Sequence, residues 1–267
     1  MKKRAAAVLS IMKNEEVFLP FWLRYYGNIF EPRDMFVHSD SSTDATNDMV
    51  RSVNVNLIEI PPGTVPFLAN DKYIKPAITK LLESYECVLF AESPDDVLTP
   101  GPAHDCDLGK YLIDFISGPD RYRFLTGVNI VQTKGELPYD PMKGTLLSQR
   151  STMVRCQRYD NPFLWRDTPL WGRGWHDLGG NRIIGGGDTQ GDEKRLYNLH
   201  IHYADFELTN RRHRQRLASY TDQQRTMYES FIDNGLWDHM CKMIANPQEV
   251  LRCGYTSKME PWMAKII

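Results

Sequence analysis

The stretch Ala5-Ala6-Ala7-Val8-Leu9-Ser10-Ile11-Met12, cut off by Lys13-Asn14-Glu15-Glu16, decides the fold. It is far shorter than the ~20 apolar residues of a membrane span. It is also too continuous for the alternation of a strand with one wet face, so it predicts a strand covered on both faces, as in a parallel sheet. The preceding Met1-Lys2-Lys3-Arg4 imitates the start of a secretion signal. The charged residues end the apolar run early, however, and no small-residue cleavage site follows.

Outward from this strand the pattern alternates. Glu15 to Tyr26 carries Val17, Phe18, Trp22, Leu23, Tyr25 and Tyr26 at helical spacing. Met35 to His38 is a short strand, followed by the polar turn Ser39-Asp40-Ser41-Ser42, where Ser42 or Thr43 is placed to cap a helix reaching Arg51. Val55 to Ile60 is a third strand, ended by Pro61-Pro62-Gly63. Asp71 to Tyr85 is an amphipathic helix that Pro76 either bends or begins, and Cys87 to Ala91 is a fourth strand. This order predicts an α/β fold: a Rossmann-like, mostly parallel sheet flanked by helices, with right-handed crossovers. Ligands of such sheets sit at the carboxyl ends of the strands, near the point where strand order reverses.

The second half is less regular. Arg123 to Val131, Lys143 to Ser148 and Leu196 to Tyr203 read as strands, and the chain reads as helical from Phe206. The expected organisation is one main domain over residues 1–205, with a helical C-terminal extension over 206–267 packed on it.

At 42% hydrophobic and 25% charged over 267 residues, the chain is long and apolar enough to bury a sizeable core. A net charge of -2 gives no global attraction to nucleic acid. The cysteines (Cys87, Cys106, Cys156, Cys241 and Cys253) are odd in number and never in a CxxC pair, which disfavours a disulfide framework or a zinc site. With no apolar window long enough to span a bilayer, the expectation is a cytoplasmic chain, peripheral at a membrane at most.

Four clusters carry chemistry. Asn14-Glu15 follows the first strand, where it can face a ligand or simply cap a helix. Asp40-Ser41-Ser42-Thr43-Asp44 follows the second strand and would border the same cleft, although it also suits a plain turn. Glu92-Ser93-Pro94-Asp95-Asp96 follows the fourth strand and reads either as a cation-binding carboxylate group or as an acidic turn. Late in the chain, His200 and His202 alternate with Ile201, which on a strand puts both imidazoles on one face as metal ligands, phosphate contacts or structural hydrogen-bonding groups.

The run Ser10 to Glu16, then Leu19-Pro20-Phe21-Trp22-Leu23, then Asp40 to Thr46, resembles family 2-type glycosyltransferases of the GT-A fold. Val88 to Pro100 is similar to that family's strand and DxD segment, with Ser93 where the first acid stands. The resemblance implies a nucleotide-sugar donor, UDP-linked, with Mn2+ or Mg2+ on its diphosphate. It implies nucleoside binding by Glu15 and Asp40 and, less directly, Asn14 and Asp44, with Ser93 facing the donor. Asp95 takes the place of the direct metal ligand, Glu92 stands where it can replace the missing acid, and His202 completes the metal site. It also implies inversion at the sugar carbon.

In Trp171-Gly172-Arg173-Gly174-Trp175-His176-Asp177, His176 and Asp177 are candidates for the base that deprotonates a carbohydrate or other hydroxyl-bearing acceptor. Trp171 and Trp175 can stack on a sugar or pack on the sheet. Ile184 to Glu193, glycine-rich and acidic, fits a loop closing over donor or an ordinary connection. Arg211-Arg212-His213-Arg214-Gln215-Arg216 reads as a solvated helix face, with contact to diphosphate, anionic lipid or a nucleic-acid acceptor as the other options. The two rival functions are a nucleic-acid-modifying glycosyltransferase and a non-catalytic nucleotide-sugar-binding protein.

Overall fold

The computed structural model describes residues 2–61, 70–170, 177–178, 181–182, 191–217, 225, 229, 232, 234–247 and 255–267. The first strand, β1 (Arg4–Met12), is the centre of a parallel block. It pairs with β2 (Met35–Asp40) on one side and β4 (Tyr85–Phe90) on the other, and β2 pairs with β3 (Asn56–Ile60), all in parallel. With neighbours on both edges, Ala7 to Ser10 are fully buried, as their unbroken apolarity requires.

The connecting helices are α1 (Leu19–Gly27), α2 (Thr46–Ser52) and α3 (Lys75–Leu81). Pro20 and Pro76 sit in the first turns of α1 and α3, and α3 directly continues a π-helical segment, Asn70–Ile74. α1 buries Leu19, Phe21, Trp22, Tyr25 and Tyr26. Its tyrosines also reach β5 (Asp96–Pro100): Tyr25 donates to Leu98 O at 3.0 Å, and Tyr26 donates to Asp96 O at 3.1 Å while accepting from Leu98 N at 3.0 Å. These bonds fix the start of β5, where Asp96 is the first residue and Asp95 lies just before it.

After α4 (Leu108–Ser117), β6 (Tyr122–Val131), β7 (Thr152–Arg155), β8 (Pro162–Trp165) and β11 (Leu196–His200) widen the sheet. β8 joins β4 antiparallel and β6 joins β8, giving the order β12-β7-β6-β8-β4-β1-β2-β3, where β12 is Tyr255–Lys258. β11 runs parallel to β6 and antiparallel to β5. The two-residue strands β9 (Asp177–Leu178) and β10 (Asn181–Arg182) form a separate ribbon. The architecture is thus the expected Rossmann-like α/β sheet flanked by helices, with a parallel first half.

Three local readings change. Lys143 to Ser148 is a pair of short 3-10 turns and a loop rather than a strand, because Gly144 has φ +123° and Ser148 folds back on Thr145. α2 starts at Thr46 without a side-chain cap on Ala45, because Ser42 and Thr43 bond to Asn14 instead. β11 ends at His200, and a 3-10 turn covers Ile201–Tyr203. The C-terminal helices are α5 (Phe206–Leu217) and α6 (Asn234–Ala245). α6 buries Leu236, Met240 and Met243 against Val131, Val154 and Cys156. Among the described residues no helix is long and apolar enough to cross a membrane.

Candidate functional site

In a sheet ordered β3-β2-β1-β4, the chain leaves β1 toward one edge and returns on its other side at β4. The switch point therefore lies between the carboxyl ends of β1 and β4. Glu15 follows one of these strands and the Glu92–Asp96 turn follows the other, so topology alone brings the two acidic clusters together.

The loops after β1 and β2 are stitched to each other. Asn14, with φ +52°, accepts from Thr43 N at 2.7 Å through Oδ1 and donates its own N–H to Ser42 Oγ at 3.1 Å. Glu15 N donates to Thr46 Oγ1 at 2.7 Å, and Asp44 accepts from Glu16 N at 3.1 Å and Thr46 N at 3.0 Å. The hydrogen bonds of Asn14 and Asp44 thus set the shape of the rim. Asp40 lies at the end of β2 with Lys13 Nζ at 3.5 Å.

The turn before β5 is held by Asp96. Its Oδ2 accepts from Ser93 N at 3.0 Å and its Oδ1 from Asn198 Nδ2 at 2.8 Å. Burial pushes its carboxyl up to about 6. With Asp96 so engaged, Asp95 is the carboxylate offered to the crevice. Its backbone O accepts from Ile201 N at 2.8 Å, tying the turn to the end of β11.

Asp95, His200 and His202 form a cluster whose potential ligand atoms all lie within 4.8 Å of one another. His202 Nδ1 is 2.9 Å and His200 Nε2 is 3.5 Å from Asp95 Oδ2. The rings stack 5.6 Å apart at 6°, so both imidazoles do face one site. The 3-10 turn after β11, not strand alternation, brings His202 round. His200 Nδ1 lies 2.7 Å from Asn129 Oδ1, and with that oxygen accepting, Nε2 is the atom turned toward Asp95. Burial disfavours a charge on His200, but the Asp95 carboxylate outweighs it and raises the ring above its ordinary value. Burial, reinforced by Arg212, holds His202 well below its ordinary value despite Asp95.

The same cluster contains two arginines of the basic run, which turn toward the crevice instead of forming a solvated face. Arg212 and Arg216, one helical turn apart on α5, both point inward. Arg212 Nη2 donates to Glu15 Oε1 at 2.5 Å and to Ser93 Oγ at 3.0 Å, and its Nη1 donates to Asp95 Oδ2 at 2.5 Å and lies 2.5 Å from His202 Nδ1. Arg216 also bonds Glu15 Oε1. Burial raises the Glu15 carboxyl, opposed by the two guanidiniums. It also works against the charge on Asp95, yet Arg212 and the histidines outweigh it and hold that carboxyl well below the usual range.

α5 is aimed by its own start. Asp205 Oδ1 accepts from Leu208 N at 2.9 Å, while Asp205 Oδ2 pairs with the buried Arg150 at 2.9 Å. A run of four basic residues in six hid this; the i, i+4 spacing of Arg212 and Arg216 was the available signal.

A cavity of about 240 Å³ opens over the cluster, lined by Glu92, Ser93, Tyr159 and Tyr203 together with Asp95, Asp96, the two histidines, Arg212 and Arg216. Asp95 Oδ1 is buried with no hydrogen-bond partner among the described residues. A carboxylate oxygen left open beside two imidazoles is a donor set that suits Mn2+ or a similar divalent ion. The residues present therefore fit a cation. His176, Trp171, Trp175 and the segment 183–190 lie outside the described residues; Asp177 is placed in β9 by its backbone alone.

No protein-family model matches the sequence, and no curated protein matches it. Among solved structures, the chain is similar to a mycobacterial protein at 12% identity and a TM-score of 0.40, over 73% of this chain. It spans 65% of that protein's length. It is also similar to the mannosyltransferase PcManGT from Pyrobaculum calidifontis, solved with GDP-Man and Mn2+, at 13% identity and a TM-score of 0.37, over 93% of this chain and 76% of that one. Likeness at this level assigns no residue a role.

Proposed function

We propose that this chain is a GT-A-type glycosyltransferase that takes a sugar from a nucleotide sugar, UDP-linked by the resemblance of its motifs, and passes it to an acceptor hydroxyl. The observation that carries this reading is the meeting of the β1 and β4 acidic loops at the switch point, beside a buried carboxylate–imidazole cluster. Residues 1–205 would form the transferase domain, and α5 of the extension would supply its guanidiniums.

In this reading Asn14, Glu15, Asp40 and Asp44 shape or line the nucleoside end, Ser93 borders the diphosphate, and Asp95 and His202, with His200, hold Mn2+ or Mg2+. The bound ion would supply charge neutralisation on the departing diphosphate. The acceptor oxygen attacks the anomeric carbon, the carbon–phosphate-oxygen bond breaks with its electrons going to the diphosphate, and the acceptor proton passes to a base. Inversion follows from one in-line displacement, and His176 and Asp177 are the candidate bases. Arg212 and Arg216 add positive charge on the diphosphate side.

A second reading, a nucleotide-sugar-binding protein without turnover, draws support from Ser93 in place of an acid and from the guanidinium already seated on Asp95. A thermal-shift panel of nucleotide sugars with and without Mn2+ tests both, since a ligand that binds the native state raises Tm. Stabilisation by one donor class, with hydrolysis or transfer, is expected. No shift from any nucleotide sugar sinks both readings; a shift without turnover leaves the second. Asp95→Asn should abolish the Mn2+-dependent part of the shift.

A further inference from the structure

The geometry points to Arg212 as an internal cation that shares the ligand atoms of the candidate metal site and must release His202 Nδ1 when a divalent ion binds there. This rests on reading Asp95, His200 and His202 as a cation site. Four acceptors converge on one guanidinium: Asp95 Oδ2, His202 Nδ1, Glu15 Oε1 and Ser93 Oγ, at 2.5, 2.5, 2.5 and 3.0 Å. A guanidinium has no acceptor atom, so His202 Nδ1 accepts a hydrogen bond from Arg212 through the lone pair that nitrogen would offer a metal. The nitrogen has one lone pair, so the two cations cannot share it.

The surroundings make the exchange feasible. Glu15 keeps Arg216 as a partner once Arg212 leaves. Asp95 keeps a second oxygen, Oδ1, that has no hydrogen-bond partner among the described residues. Arg212 is gripped only through its terminal nitrogens, since its Nε has no partner among the described residues, and its plane rests on the Phe18 ring at 5.2 Å. The displaced guanidinium stays tethered to α5 beside the cavity, where it meets the diphosphate side of the proposed donor. Arg212 thereby balances charge on Asp95 in the metal-free site, and metal entry frees a positive group beside the proposed donor.

Binding of Mn2+ alone, without nucleotide, tests this. Free Mn2+ is measured by electron paramagnetic resonance in wild type, Arg212→Met and Arg212→Lys. Loss of the competing charge should tighten Mn2+ binding by roughly tenfold or more in Arg212→Met. Arg212→Lys, which keeps a charge but cannot span Asp95 and Glu15 at once, should fall between. Because Arg212→Met leaves two buried carboxylates underpaired, the wild type supplies an independent measurement. The buried Arg212 guanidinium Nε–H resonance should shift on Mg2+ titration, and this response should be absent in Asp95→Asn. Equal Mn2+ affinity in wild type and folded variants, weaker binding in them, no Mn2+ binding by any of them, or an Arg212 resonance unmoved at saturating Mg2+ overturns the inference. The nucleotide-sugar panel is independent of this result, so failure of the transferase reading would be seen there and not here.

Discussion

Asn14 Oδ1 accepts the backbone N–H of Thr43 at 2.7 Å, across the gap between the loops that follow β1 and β2. The residue is 2% exposed and adopts a left-handed φ of +52°. Asparagine tolerates that conformation better than other non-glycine residues, and its amide bridges two loops that would otherwise be independent. Asn14→Ala should lose about 2–3 kcal/mol, from backbone strain and an unpaired Thr43 N–H together. Asn14→Gly should recover the strain portion only. Urea denaturation of the two variants checks the difference; equal losses would mean that the left-handed backbone contributes nothing.

Gly127 on β6 is backed by the turn that carries Tyr159. A Cβ there would meet Cys156 O at 2.7 Å and Tyr159 C at 2.9 Å, with Tyr159 Cβ closer still. Tyr159 in turn lies 4.9 Å from the His200 ring. Gly127→Ala should cost about 2–3 kcal/mol by overpacking, and it should disturb Mn2+ binding at His200 as well as stability. A stable variant with unchanged Mn2+ affinity would show that the turn yields freely.

His38 is buried on β2, and neither ring nitrogen has a partner among the described residues. Burial lowers it from an ordinary 6.5 to about 4. Because the folded state favours the neutral ring, its contribution is present above pH 6.5 and is lost as pH falls toward 4. The loss approaches about 3 kcal/mol. Denaturation midpoints between pH 7 and pH 4 should fall more steeply in wild type than in His38→Leu. Parallel curves would rule out this histidine as the source.

Burial also pushes the Cys87 thiol up to about 12, and Cys156 is 1% exposed. Thiolate is the reactive form, so neither residue should be alkylated by iodoacetamide at pH 8 until the protein unfolds. Mass-spectrometric mapping of labelled cysteines checks this, and rapid native labelling of Cys87 would contradict the packing of β4.

Much of the first half was legible from residues alone. The unbroken run Ala5 to Met12 reads as a strand covered on both faces, and β1 lies inside the sheet between β2 and β4. The polar groups after β1, β2 and β4 mark the carboxyl edge, because the side chains that stop a buried strand must lie at its end. The second half was harder: β5, β7, β8 and β12 are four or five residues long and pair antiparallel with partners distant in sequence. Such short strands leave little periodic signal, and register is decided by the partner.

By itself the sequence determined the α/β class, the acidic edge of the sheet, and Asp95 and His202 as residues worth following. Only the tertiary structure decided what neutralises them. Arg212 lies 117 residues from Asp95 and 197 from Glu15, in a basic run whose i, i+4 spacing marks a shared face without saying what that face meets. Its charge became part of the site because Asp205 and Arg150 aim α5 at the crevice. A buried carboxylate must find a counter-charge somewhere, and periodicity along the chain cannot say which distant helix will bring it.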